Sequence, residues 1–195
     1  IVFGDWSSDV CSSDLPRKHQ LEALEALRNN NKGIIHLPTG TGKTFIQALS
    51  IEESLQLGWG WINSDLPGEI PVFVTLAPRI ILSNQLFNNV HDILFNKGVD
   101  AHYLIVHSGK AYDDVKRSWT ASQPYRQLKS TTRVWEIRDE YRKAKEEGVP
   151  LIIFGVYDSA QRIASSEIPV YMLSCDEGQY LVSNEFSWID RKSVV

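Results

Sequence analysis

An apolar run, Gly33-Ile34-Ile35-His36-Leu37, feeds directly into Pro38-Thr39-Gly40-Thr41-Gly42-Lys43-Thr44, and an amphipathic run over residues 45–57 follows. Strand, glycine turn and helix in that order form the context that a phosphate-binding loop requires. Gly40 and Gly42 let the backbone turn with no Cβ in the way, so that several N–H groups point at one anion. The helix that starts at Gly42-Lys43-Thr44 aims its free N–H groups and positive dipole end at the same place. Lys43 adds a full charge for the outer phosphates, and Thr44 offers a hydroxyl to a magnesium ion. One position departs from the usual G-x-x-x-x-G-K-[ST] pattern: Leu37 stands where the first glycine would be.

With 195 residues, 43% of them hydrophobic and 23% charged, the chain suits one soluble globular domain with a sizeable core. Its apolar runs fall far short of the roughly 20 residues needed to span a membrane, and its acidic, serine-rich start does not read as a secretory signal. Cys11 and Cys175 give no disulfide framework and no metal spacing, and the five histidines are scattered and read as ordinary residues. A net charge of −4 argues against a protein that coats nucleic acid without selectivity, though a local groove remains compatible with it.

Both ends read as foreign. Asp5-Trp6-Ser7-Ser8-Asp9-Val10-Cys11-Ser12-Ser13-Asp14-Leu15 matches the translation of a common short-read sequencing adapter, and Asp190-Arg191-Lys192-Ser193-Val194-Val195 matches the opposite adapter. The expectation is that residues 1–15 and 190–195 are not native. Residues 16–189 would then be one incomplete lobe of a longer protein.

Between the ends, apolar runs predict strands over 33–37, 71–77, 101–107, 151–156 and 168–174. Helices are expected from Arg17, after Gly42, over 80–95, over 132–147 and from Tyr157-Asp158-Ser159. Residues 111–130 are irregular, and their mix of basic and aromatic side chains suits either a solvated loop or contact with nucleic acid. Nearly continuous apolar strands alternating with helices indicate an α/β fold, a mainly parallel sheet covered on both faces. Ligands of such sheets bind at the carboxyl ends of the strands. Asp176 and Glu177 fall just past the end of the last strand. A carboxylate there can hold magnesium through water while its neighbour orients and deprotonates an attacking water.

Taken together, the loop from Leu37 to Thr44 and Asp176-Glu177-Gly178-Gln179 resemble motifs I and II of the first RecA-like lobe of superfamily 2 helicases and translocases, the DEAD/DEAH-like P-loop motors. The nearest group contains the motor subunits of type I and type III restriction enzymes and related phage helicases. The resemblance spans nearly all of residues 16–189. It implies ATP and Mg²⁺ as cofactors, with Pro38, Thr39, Gly40, Thr41, Gly42, Lys43 and Thr44 around the phosphates. Lys43, Asp176 and Glu177 would be catalytic, and Thr44 and Asp176 would hold the metal, Asp176 through water. Arg17 and Gln20 resemble the element that reads adenine, and Gln179 offers an amide that couples the nucleotide to a second lobe. Gly178 and Gln179 depart from the group's usual Asp-Glu-x-His.

Residues 75–79 with Ser83 resemble the element that holds DNA phosphates through Arg79, and Tyr157 and Ser159 resemble the next one. A surface ion pair for Arg79 and plain helix capping by Ser159 are the competing explanations. Contacts of this kind grip the backbone and carry no sequence information. The resemblance therefore implies a nucleic-acid partner, double-stranded DNA, and a cytoplasmic setting in a bacterial or phage-infected cell. It also implies a missing second RecA-like lobe that brings the arginine finger, so this polypeptide is expected to bind ATP weakly at best and to turn it over slowly or not at all. An unrelated P-loop ATPase or kinase, or a degenerate nucleotide-binding scaffold, remains open at this point.

Overall fold

A computed structural model describes residues 16–30, 32–38, 40–58, 68–108 and 129–177. The adapter-like ends, Thr39, Gln179 and most of the basic and aromatic stretch at 111–130 lie outside them. Five strands make one all-parallel sheet: β1 (Val72–Ala77), β2 (His102–Val106), β3 (Lys129–Thr131), β4 (Leu151–Val156) and β5 (Met172–Cys175), in the order β3-β2-β4-β1-β5. β4 is central, pairing with β1 from Val72–Leu151 to Ala77–Val156 and with β2 from His102–Leu151 to Val106–Gly155.

Alternation along these strands explains the two layers of helix. Val72, Val74, Leu76, Leu104, Val106, Leu151 and Ile153 point to one face and meet Ile137 and Ala144 of α4 (Val134–Glu147) and Ile163 of α5 (Ala160–Ser165). Phe73, Ile105, Ile152 and Phe154 point to the other, against α2 (Lys43–Gln56) and α3 (Ile80–Asn96), which contribute Ala48, Ile51, Phe87, Val90 and Leu94. A period of two with both faces apolar gives the unbroken hydrophobic runs seen in the sequence. α4 stops at Gly148, whose φ of +68° is the left-handed cap that glycine provides at low cost.

Three elements differ from the sequence expectation. Residues 33–37 form no strand. The segment packs Ile35 and Leu37 onto a third cluster made by α1 (Lys18–Asn29) and α2 (Ala23, Leu24, Ile46 and Leu49), while Ile34 is 84% exposed. Its alternation is that of a strand, but it pairs with none of the described strands, and without a ladder an extended run is not a sheet member. Conversely β3, within and just past the irregular stretch, is a strand of three polar residues that extends the sheet beside Leu104, Ile105 and Val106. β5 also starts at Met172, later than the apolar run at 168–174 suggested.

Candidate functional site

Every strand is parallel, so the turns after β1, β2, β3, β4 and β5 all lie along one edge of the sheet. The loop from Pro38 to Thr44 owes its form to its glycines. Gly40 has φ +78°, and Gly42, the N-cap of α2, has φ +84°. Both values lie in the left-handed region that other residues enter at a cost. Thr41 Oγ1 donates to the Pro38 carbonyl at 2.7 Å and closes the turn. The N–H groups of Phe45 and Ile46 return to the Gly42 carbonyl, leaving the N–H groups at the very start of α2 without helical partners. Lys43 and Thr44 are its first two residues, both half-buried. Leu37 fits where a glycine is usual because its side chain lies in the α1–α2 cluster, away from the turn.

Across from the loop, Asp176 follows β5 and extends its pairing with β1: its N–H donates to the Leu76 carbonyl at 2.8 Å. Tyr157 Oη donates to the Asp176 carbonyl at 2.6 Å. Burial pushes the Asp176 carboxyl above the usual carboxylate range. The Lys43 charge opposes that shift, the Glu177 charge adds to it, and the Glu177 N–H opposes it. Lys43 and Asp176, 133 positions apart in sequence, therefore lie close enough in space for one charge to act on the other. Glu177 has φ +55°, one of two non-glycine residues with positive φ among those described. Such a backbone costs on the order of 1–3 kcal/mol and is found preferentially where function requires it. Burial of Cys175, the last residue of β5, pushes its thiol up to about 12, which favours the protonated form.

Of the other expected residues, Arg17 is exposed as the N-cap of α1, and its N–H donates to Gln20 Oε1 at 2.8 Å. Gln20 is buried, and its Nε2 donates to the Thr41 carbonyl at 3.1 Å. One N–H and one lone pair of that amide are left for a further partner. Arg79 is exposed at the start of α3 and has no ion-pair partner among the described residues, so the surface ion pair weighed for it is not formed there.

Three of the residues expected to touch nucleic acid are not at the surface. Ser83 and Ser159 are each 1% exposed, and Tyr157 is 3% exposed. The Ser83 position faces inward because α3 turns it onto the sheet. Tyr157 braces the backbone of Asp176, and Ser159 is enclosed where the chain enters α5, with no cap hydrogen bond from its side chain. The sequence reading missed His19, whose Nε2 lies 2.9 Å from the Thr41 carbonyl. A lone histidine at a helix start carries no spacing that would have singled it out. It also missed a polar hollow of about 440 Å³ at the carboxyl ends of β2 and β3, lined by Ser108, Ser130, Thr132, Arg133 and others.

A parallel sheet with helices on both faces, a glycine loop opening a helix, and an acidic pair past a strand on the same edge define a RecA-like, helicase-like lobe. Residues 14–167 match the family described as type III restriction enzyme, res subunit, and the chain belongs to that family. It is similar in fold to a nuclease-deletion mutant of the type ISP restriction-modification enzyme LlaGI, solved in complex with a DNA substrate mimic. The TM-score is 0.65 and the identity 19%, over 93% of this chain and 16% of that one. The chain thus spans about one sixth of the length of that enzyme. Among curated proteins nothing matches the chain. No helix among the described residues is long and apolar enough to cross a membrane.

Proposed function

We propose that the chain is the ATP-binding lobe of an ATP-dependent nucleic-acid helicase or translocase. The observation that carries this reading is a glycine-built anion loop opening α2 at Lys43 and Thr44, together with an Asp176–Glu177 turn that extends β5 at the carboxyl edge of the sheet.

The roles follow from the chemistry. The N–H groups around Gly40 to Thr44 and the Lys43 ammonium hold the phosphates. Glu177 takes the proton of the attacking water, and Arg17 and Gln20 face the adenine. Among the described residues no group of three or more acidic, histidine or cysteine side chains could hold a metal alone. Magnesium would be held by phosphate oxygens with Thr44 and, through water, Asp176; that is how magnesium is commonly bound. When bound, it supplies charge neutralisation for phosphoryl transfer.

Nucleic acid would run along the carboxyl edge of the sheet, where Arg79 is exposed and the hollow near Arg133 presents hydroxyls. Double-stranded DNA in the cytoplasm is the partner this reading favours, in keeping with the DNA mimic bound to LlaGI. Gln179 and a second RecA-like lobe would complete the site, with residues 16–189 as the native part of the chain; sequencing the source DNA tests those bounds. In the complete enzyme, DNA should stimulate ATP hydrolysis. There Lys43→Ala and Glu177→Gln should each abolish turnover, and the second should keep ATP binding. Full activity in both variants would remove the assignment, and turnover indifferent to DNA would favour a P-loop ATPase or kinase of another class.

A further inference from the structure

The first turn of α1 grips the loop by its backbone. His19 Nε2 and Gln20 Nε2 lie 2.9 and 3.1 Å from the same oxygen, the carbonyl of Thr41. A carbonyl only accepts, so the His19 ring carries its proton on Nε2 and donates, and the two donors together match the two lone pairs of that oxygen. The Thr41 carbonyl and the Gly42 N–H belong to one planar trans peptide and point in opposite directions. Holding the carbonyl on the α1 side therefore turns the Gly42 N–H away from α1. A peptide next to glycine reorients at little torsional cost, so left alone it would present either its oxygen or its N–H to an anion.

We propose that His19 is a positioning residue for the nucleotide. With Gln20 it fixes the Thr41–Gly42 peptide so that the Gly42 N–H faces the phosphates before they arrive. The proposal rests on reading the loop as a nucleotide site. His19 touches no phosphate; it acts through the backbone, and its effect on affinity is one of preorganisation.

The test is a titration of the isotopically labelled chain with Mg·ADP, followed at the Gly40 and Gly42 amides, in the wild type, His19→Phe, His19→Gln and Lys43→Ala. His19→Phe keeps a ring and removes the donor, and His19→Gln restores a donor of similar reach. His19 is half-exposed, so both variants should fold. Losing one neutral hydrogen bond should weaken Mg·ADP binding about fivefold in His19→Phe. It should also move the Thr41 carbonyl carbon resonance in the free protein, and His19→Gln should recover most of both effects. A merely structural histidine would lower thermal stability without moving the Thr41 carbonyl or the affinity. Wild-type affinity and an unmoved carbonyl in His19→Phe, with binding lost in Lys43→Ala, would overturn the positioning role alone. No binding by the wild type even at saturating Mg·ADP, where weak binding still registers, or equal binding in Lys43→Ala, would overturn the nucleotide reading and the positioning role with it.

Discussion

Gln20 lies directly over Gly42: a Cβ on Gly42 would come 2.5 Å from Gln20 Nε2, so the amide end of Gln20 would have to shift to admit it. The φ of +84° is what requires glycine here, and the displaced Gln20 amide adds a smaller, separable cost. Gly42→Ala should cost about 1–2 kcal/mol for the left-handed backbone alone, with a further loss from displacing Gln20. Gln20→Ala should relieve only the second part. Denaturant unfolding of the two single variants and the double variant tests this, and the double should be more stable than the sum of the singles implies.

Stability at the acidic turn depends on pH with a definite sign. Burial raises the Asp176 carboxyl above its ordinary value of 3.8. The folded state then holds this proton more tightly than the unfolded state, so stability falls as pH rises from about the ordinary value through the raised one. The penalty is fully present above that window. Asp176→Asn should therefore melt higher than the wild type at neutral pH, with the difference shrinking toward pH 4. Melting curves at several pH values check it, and an Asp176→Asn variant less stable than the wild type at pH 7 would contradict the burial argument.

The opposite sign holds at the end of β2. His107 is 2% exposed, its Nε2 donates to Asn84 Oδ1 at 2.9 Å, and burial lowers its pKa below the ordinary 6.5. The unfolded chain binds this proton more readily, so stability is present above about pH 6.5 and is lost as pH falls below it. His107→Gln, which keeps an N–H for Asn84, should flatten that part of the stability profile. An unchanged slope would assign the acid sensitivity to other groups.

Much of this was legible in the sequence, for reasons visible in particular residues. β1 and β4 are six-residue runs buried along their whole length, and such runs are read easily as parallel strands. The loop was legible because its glycines are a local necessity. Residues 33–37 have the alternation of a strand, but strand identity also depends on a neighbour, which no local pattern reports. β3 was hidden because Lys129, Ser130 and Thr131 carry no apolar signal; position beside β2 makes them a strand. Tyr157 resembles part of a nucleic-acid-contacting element in sequence, whereas its hydroxyl turns inward to hold the Asp176 carbonyl. Ser83 and Ser159 went the same way, since burial of a small polar side chain is a tertiary property.

A single nucleotide site built from the loop and the Asp176–Glu177 turn should respond at both places to one ligand. The most direct measurement is an amide-resonance titration of the chain with Mg·ADP. Shifts are expected at Gly40, Gly42, Lys43 and Thr44 and, in the same transition, at Asp176, and Lys43→Ala should abolish both sets. Shifts at the loop with Asp176 unmoved, or a titration unaffected by Lys43→Ala, would contradict a single site.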